Sequence, residues 1–291
     1  QVHDACGGGD DTAADGGADA EDGGNAETAA YQVAMITDYG DITDQSFNQT
    51  TYEACQEFCD AEGLQFEYYK PAGDSTAERV AMVDAAVADG YNVIVMPGYA
   101  FAGTITGTQD KYPDVKFIAL DVSEFDINSS FYKTDDKGNA TEELLDANNK
   151  PHVASNVYSA VYQEELCGYM AGYAAVKLGY THLGVLGGMA VPAVQRFGYG
   201  FVQGADAAAV EMGIADQVVM EYAYGNQFYG DSDITAYMDN WYQTLGVEVV
   251  FASGGGIYTS AAEAAAKVGG KLIGVDVDQS ANIDTYGEGM C

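Results

Sequence analysis

The sequence is poor in cationic side chains, with 11 Lys and Arg residues against 45 Asp and Glu residues and a formal net charge of -34. A chain this acidic repels the phosphate backbone of nucleic acids and the surface of anionic membranes. The charge therefore excludes nucleic acid as a partner. At 291 residues, with 47% hydrophobic residues, the chain can bury a large core, and its length favours two domains.

Histidines and common catalytic motifs are also scarce. His3, His152 and His182 are far apart in the sequence, which contains neither GxSxG nor GxxxxGK[ST]. The glycine run at 254–256 does not fit GxGxxG. These absences argue against hydrolase, kinase and dehydrogenase chemistry, and we expect no cofactor.

The cysteines form no CxxC pair, and none has a neighbouring histidine. Cys55 and Cys59 are four residues apart and would share one helix face, which permits a metal pair. Without further ligands, however, two such residues are more typical of a core, and we expect no metal site. No segment reaches the roughly 18 uninterrupted apolar residues that a membrane span needs.

The first thirty residues contain no Lys or Arg and no large apolar run, which predicts a disordered, acidic, solvated tether. Within it, Cys6 in the setting ACGGG resembles the start of a mature bacterial lipoprotein, which would make this cysteine a lipid attachment site. The alternative is a free thiol in a disordered tail, because QVHDA before Cys6 contains no apolar stretch of a signal peptide.

From Tyr31 onward, short apolar runs alternate with longer segments of helical period. The predicted strands span Val33–Thr37, Leu64–Tyr69, Val93–Met96, Lys116–Leu120, His182–Leu186, Gln217–Tyr222, Val249–Ala252 and Lys271–Val275. The predicted helices span Ser46–Ala61, Thr76–Asp89, Phe101–Lys111, Tyr162–Leu178, Ala193–Met212, Asp233–Leu245 and Tyr258–Lys267. This alternation predicts an α/β fold with parallel sheets covered on both faces.

The alternation breaks once, in the polar, turn-rich stretch between Asp121 and Val161. We interpret this stretch as an insertion at about 124–151 followed by a crossover between two lobes. The predicted lobes are residues 31–155 and 156–291, with four strands in each.

Polar residues or glycines follow five of the predicted strands, namely Asp38, Gly98, Asp121, Gly254 and Asp276. Ligands of such sheets bind beyond the carboxyl ends of the strands, so two facing lobes predict a ligand cleft. Ionised aspartates only accept hydrogen bonds and would select a donor-rich ligand such as a sugar or nucleoside. Phe47 and Phe228 offer flat faces for stacking a ring. A phosphate would require cationic side chains, and these segments contain almost none, with Arg196 the exception. A nucleoside is therefore favoured over a nucleotide.

Each of these residues has a structural alternative. Asp44 or Ser46 is expected to cap the helix that opens at Phe47, and we prefer Asp44 as the cap. The aspartates that follow strands could equally be caps or solvated residues, Phe47 a core residue, and Gly98 and Gly254 ordinary turn residues.

The segment AMITDYGDITDQSFNQTTYEACQEF resembles the signature of the basic membrane protein family of substrate-binding lipoproteins, also called the PnrA-like family. Three further blocks resemble the same family, at Val93–Asp121, Tyr162–Phe201 and Val249–Gln279. The resemblance covers the chain from about Val33 onward. It implies a periplasmic-binding-protein type I fold and a role as the receptor of an ABC importer for purine nucleosides.

The residues that the resemblance implies at the ligand are Asp38 and Asp121 at the nucleobase, Phe47 and Phe228 on either side of it, Asp276 at the ribose hydroxyls, and Asn48, Gly98 and Gly254 along the same cleft. The segment YGNQFYGDSD around Phe228 departs from the usual spacing of the family. The family also continues past its GVDxDQ block with a ligand-contacting lysine, whereas this sequence stops at Cys291. We therefore expect a second lobe that is truncated.

The leading hypothesis is a monomeric, non-catalytic nucleoside receptor, anchored by lipid to the outer face of a bacterial cell membrane, that delivers its ligand to ABC permease subunits. One alternative keeps the fold and makes the protein a surface sensor that signals occupancy. Another is a nucleoside-processing enzyme with Asp121 or Asp276 as a general base.

Overall fold

The apolar runs form the strands of two parallel sheets in the computed structural model, which describes residues 31–291. In order across the first sheet, the strands are β2 Gln65–Tyr69, β1 Gln32–Ile36, β3 Val93–Pro97, β4 Lys116–Leu120 and β7 Val157–Ala160. Those of the second sheet are β11 Lys271–Ile273, β10 Val249–Ser253, β8 His182–Gly187 and β9 Val219–Tyr224. The predicted tether 1–30, with Cys6, lies outside the described residues.

Helices connect the strands and cover the sheets. They are α1 Phe47–Glu62, α2 Thr76–Ala88, α3 Ala102–Thr108, α4 Glu124–Ser129, α5 Glu164–Lys177, α6 Pro192–Met212, α7 Ser232–Asp239, α8 Tyr258–Ala266 and α9 Ser280–Ile283. A 3₁₀ turn, Tyr99–Phe101, precedes α3, and a π-helical turn, Asn240–Leu245, follows α7.

Both faces of each sheet are buried. Along β10, Val249 and Phe251 pack into one core, and Val250 and Ala252 pack into another. Because successive side chains of a strand point to opposite faces, the two cores lie on the two sides of the second sheet. The predicted α/β fold with two parallel-sheet lobes is confirmed.

All eight predicted strands are present, and their ends agree with the prediction within two residues. The seven predicted helices are also present, although the one predicted at Asp233–Leu245 changes from α- to π-helical geometry at residue 240. Long apolar runs and helical periodicity therefore identify most of the fold.

One strand of the first sheet, β7, lies in the stretch that we interpreted as insertion and crossover. It pairs in parallel with β4 along Val157–Ala160, so the first sheet has five strands rather than four. The predicted lobe boundary between residues 155 and 156 is therefore wrong, since the first sheet extends to residue 160. The strand lies at the edge of the sheet, and Tyr158 is 65% exposed, which explains its weak apolar signal.

The predicted insertion at 124–151 contains local structure. It opens with α4, where the Ser123 hydroxyl accepts from the backbone N–H of Asp126 and the Asp126 carboxylate accepts from that of Ser123. An antiparallel hairpin follows, formed by β5 Tyr132–Thr134 and β6 Ala140–Leu144. The insertion is thus an ordered appendage of the first lobe.

The cysteine pair lies on the face of α1 that packs against β1 and β3. Burial, and then the neighbouring Cys59, raise the pKa of Cys55 to about 12, so its thiol stays protonated. The interpretation of this pair as core residues is confirmed.

Within residues 31–291, the helices are too short or too polar to cross a lipid bilayer.

Helices α5 and α6 approach each other closely at four glycines. A Cβ atom on Gly168 or Gly172 of α5 would lie 2.1 or 2.0 Å from a backbone oxygen of α6. Conversely, a Cβ on Gly200 or Gly204 would lie 2.1 or 1.9 Å from a backbone oxygen of α5. Such distances leave no room for a methyl group, so the glycines set the spacing of the two helices.

We predict that Gly204→Ala lowers the free energy of unfolding by about 1 to 3 kcal/mol, because the added methyl group forces the helices apart. The matched control is Gly107→Ala in α3, where the new Cβ would lie 3.5 Å from a Val80 methyl, an ordinary contact. That control should be neutral or slightly stabilising. Urea unfolding of both variants measures the difference, and equal stability would contradict the steric argument.

Candidate functional site

The carboxyl ends of the strands meet at one cavity of about 440 Å³ between the lobes. All eight residues predicted at the ligand line it: Asp38, Phe47, Asn48, Gly98, Asp121, Phe228, Gly254 and Asp276. Its volume lies within the range typical of small-molecule sites. The structure thus brings every predicted site residue together.

Two of the aspartates have a left-handed backbone, with φ 60° at Asp121 and φ 67° at Asp276. Residues other than glycine adopt this conformation rarely, and often at functional sites. The Asp121 N–H donates to Ala160 O at 2.8 Å, one residue beyond the end of β4. The sheet ladder itself therefore fixes where Asp121 lies.

Asp44 caps α1, as expected. Its carboxylate accepts from the backbone N–H groups of Ser46 at 2.9 Å, Gln49 at 3.1 Å and Asn48 at 3.3 Å. The Ser46 hydroxyl makes no cap and instead donates to Asp276 of the second lobe. Capping thus places Phe47, the first residue of α1, at the cavity.

The Asn48 amide is engaged within the protein. Its nitrogen lies 3.0 Å from Asp38 Oδ1 and 3.0 Å from Asp44 Oδ2, so both of its protons are directed to carboxylates. Asp38 Oδ1 also accepts from the backbone N–H groups of Tyr39 and Gly40. Asn48 therefore orients Asp38 and has no remaining donor for a ligand.

Aromatic rings enter the cavity from both lobes. Phe47 belongs to the first lobe and contacts Tyr162 edge-on, with the ring centroids 6.2 Å apart. Phe228 belongs to the second lobe and lies 6.4 Å from the ring of Tyr99. The Tyr99 hydroxyl also donates to Met189 Sδ at 3.4 Å. Apolar ring faces are thus available on opposite walls.

A loop of the first lobe is held by the C-terminal segment. Gln279 Nε2 donates to Gln45 O at 2.8 Å, and Asn282 Nδ2 donates to Gln45 Oε1 at 2.6 Å. Together with the bond from Ser46 to Asp276, these contacts join the lobes on one side of the cavity.

The carboxyl groups of the cavity differ in their environment. Enclosure between the lobes raises the pKa of Asp276, and the hydrogen bond from Ser46 opposes part of that shift. The Asp276 side chain is nevertheless exposed to the cavity. Burial, and then the nearby Glu164, raise the pKa of Asp121 to about 8. An aspartate in this position is largely protonated at neutral pH.

Several residues at the site were not predicted from the sequence. Tyr39, Tyr99 and Tyr229 line the cavity, as does Ser253, whose buried hydroxyl has no hydrogen-bond partner among the described residues. Glu164 lies beside Asp121, and its only indication in the sequence is its position at the start of a helix in the block Tyr162–Phe201. Tyr99 could have been found, because it follows Gly98 at the end of β3.

The two lobes and the cavity between them have the periplasmic-binding-protein type I fold, which the similar solved structures share. The sequence profile of the PnrA-like ABC transporter substrate-binding proteins, the Bmp family, matches residues 31–286. The chain belongs to this family and is an ABC transporter substrate-binding protein.

Relatives and solved structures agree with this assignment. The chain is 25% identical to the CD4+ T-cell-stimulating antigen of Listeria innocua over 90% of this chain and 67% of that protein. It is 24% identical to the ABC transporter nucleoside-binding protein BmpA of Lactococcus lactis, over 85% of this chain and 64% of BmpA. The chain thus spans about two thirds of their length.

A solute-binding protein from Aeropyrum pernix superposes with a TM-score of 0.67 at 21% identity, over 89% of this chain and 69% of that chain. One from Conexibacter woesei gives a TM-score of 0.61 at 21% identity, over 88% and 74%. At these identities the comparison establishes the fold.

We predict that Asp44→Ala lowers the free energy of unfolding by about 1 kcal/mol, since three backbone N–H groups lose their acceptor. The control is Asp41→Ala in the same loop, which removes a side chain that is 68% exposed and paired with Lys70. An exposed pair contributes little, so this control should change stability by less than about 0.5 kcal/mol. Equal losses in the two variants, measured by urea unfolding, would rule out the capping role.

Proposed function

We propose that this chain binds a purine nucleoside in the cavity and serves as the extracytoplasmic receptor of an ABC importer. The observation that carries the proposal is the pairing of ring faces from both lobes, Phe47 and Phe228, with carboxyl groups at one cavity. Among the described residues that line it there is no Lys or Arg. A neutral ligand with an aromatic ring and several hydroxyl or N–H groups fits this surface, and a phosphorylated one does not.

The residues divide by chemistry along the cavity. Phe47 and Phe228 would stack on the two faces of the base, while Asp38 and Asp121 would hydrogen-bond its edge. Asp276, held by Ser46, would accept from ribose hydroxyls. Gly98 and Gly254 would let the backbone approach the ligand closely, and Asn48 would act by orienting Asp38.

Both kinds of contact favour binding. Stacking contributes about 1 to 3 kcal/mol per aromatic contact, and hydrogen bonds to charged groups contribute about 1.5 to 3 kcal/mol each. Part of this gain offsets the cost of ordering the ligand and closing the lobes. The name of the Lactococcus lactis relative, a nucleoside-binding protein, supports the same ligand class.

The cellular setting is proposed on the same basis. Relatives from Pyrococcus abyssi and Pyrococcus horikoshii are named lipoproteins, at 24% identity each. With Cys6 in its ACGGG setting, this supports a lipid anchor on the outer face of the membrane. We propose that the protein acts there as a monomer and passes ligand to permease subunits. We propose that it does not alter the ligand. Free base released from inosine or guanosine, detected by chromatography, would overturn that part.

We predict that purine nucleosides raise the melting temperature, whereas sugars and amino acids do not, because only ligands that bind the folded state stabilise it. Phe47→Ala and Phe228→Ala should each weaken nucleoside binding by about 5-fold to about 150-fold, the loss of one stacking contact. The matched control is Phe58→Ala on the same helix as Phe47, since Phe58 is 57% exposed and away from the cavity.

Thermal shift over a ligand panel, followed by calorimetric titration of each variant, measures these effects. A panel in which sugars or amino acids respond and nucleosides do not would refute the ligand assignment. Equal losses in Phe47→Ala and Phe58→Ala would refute the stacking role.

A further inference from the structure

Two carboxyl groups and one guanidinium meet at the edge of the cavity where α5 and α6 reach the end of β4. Arg196 Nε donates to Glu164 Oε2 at 2.5 Å, and Glu164 is 5% exposed. Glu164 lies within hydrogen-bonding reach of Asp121, which lines the cavity. The pair therefore connects the cavity wall to a cation behind it.

The pair needs a proton. An ionised carboxylate has no hydrogen to donate, so two carboxyl groups can hydrogen-bond only when one of them is protonated. Asp121 Oδ1 and Glu164 Oε1 are each buried, and neither has a hydrogen-bond partner among the described residues. A proton shared between the two groups supplies the missing partner. Without that proton, two buried negative charges would face the single positive charge of Arg196, which cannot balance both.

The surrounding charges decide which group keeps the proton. Burial alone would raise the pKa of Glu164, but the hydrogen bonds from Arg196 and Asp121 hold it below its ordinary value. For Asp121, burial and Glu164 raise the pKa, Asp276 adds to that shift, and Arg196 opposes part of it. The other titratable groups that face the cluster are Tyr162, beside Asp121, and Glu165, beside Arg196. The proton therefore stays on Asp121.

We propose that Glu164 is a specificity-determining residue, which together with Arg196 keeps Asp121 protonated, so that the cavity presents a neutral carboxyl group, rather than a carboxylate, to the ligand. This inference rests on the proposed function for its ligand. The protonation of Asp121 in the free protein, in contrast, does not depend on which ligand binds.

The sign of the pH dependence follows from the geometry. A ligand that fills the cavity removes water from Asp121, and an ionised Asp121 beside an ionised Glu164 is costlier without water. The bound state therefore holds the proton more tightly than the free state, whose Asp121 pKa is about 8. Affinity is full below about pH 8 and falls as the pH rises above it, by at most about tenfold per pH unit.

The binding experiment titrates adenosine, which does not ionise in this range, by calorimetry from about pH 6.5 to about pH 9.5 in buffers of different ionisation enthalpy. We expect weaker binding above about pH 8, with proton uptake. In Glu164→Gln, the new amide donates to Asp121 and favours its ionised form, so affinity should no longer depend on pH in this range. The control, Glu57→Gln, removes an exposed carboxylate of α1 away from the cavity and should keep the wild-type profile.

A second measurement needs no ligand. The infrared carboxylic-acid C=O band of the free protein should lose intensity as the pH rises through about 8. This change should be absent in both Asp121→Asn and Glu164→Gln and present in Glu57→Gln, which alters an exposed carboxylate away from the cavity.

The two measurements separate the possible failures. If adenosine binds with the same affinity at every pH and the titrating band persists in Glu164→Gln, the inference is wrong while the proposed function stands. If adenosine and the other nucleosides of the panel fail to bind and the band behaves as expected, the proton-holding pair is supported and the ligand assignment is wrong.

Discussion

The parallel pairing of the strands is the constraint on which the site depends. In each sheet the ladder continues one residue past the strands, through Gly98 N to Leu120 O, Asp121 N to Ala160 O, and Gly188 N to Ser253 O, each 2.8 Å. These bonds place the residues that follow neighbouring strands side by side. The carboxyl ends of the strands in one lobe face those in the other lobe. Residues that follow five different strands therefore line one cavity.

Much of this was predictable because the signals are local. Buried parallel strands appear as continuous apolar runs, and the polar residues behind them mark the strand ends, so Asp38, Asp121 and Asp276 could be placed from sequence. The strand Val157–Ala160 could not, because an edge strand needs no continuous apolar run. Glu164 also escaped prediction, since it follows that same edge strand, and the pairing of the strand with β4 brings it to the end of β4 where Asp121 lies.

The acid-rich composition predicts the chemistry of the cavity only in part. Asp38 acts as a hydrogen-bond acceptor for two backbone N–H groups, the role that its side chain alone suggests. Asp121 is different, because burial and Glu164 raise its pKa to about 8. Protonation depends on neighbours that come together only in the folded chain, so a count of carboxyl groups overstates the negative charge that a ligand meets.

Contacts between the lobes connect binding to closure. Ser46 is both the residue before α1 and the donor to Asp276, so the helix that presents Phe47 is tied to the aspartate on the opposite wall. A ligand that contacts both walls stabilises the closed arrangement only by as much as it prefers that arrangement over the open one. For the ligand proposed above, ring stacking from both lobes and hydrogen bonds to carboxyl groups of both lobes would be made together only when the cleft is closed. The proposed ligand chemistry would therefore also favour closure.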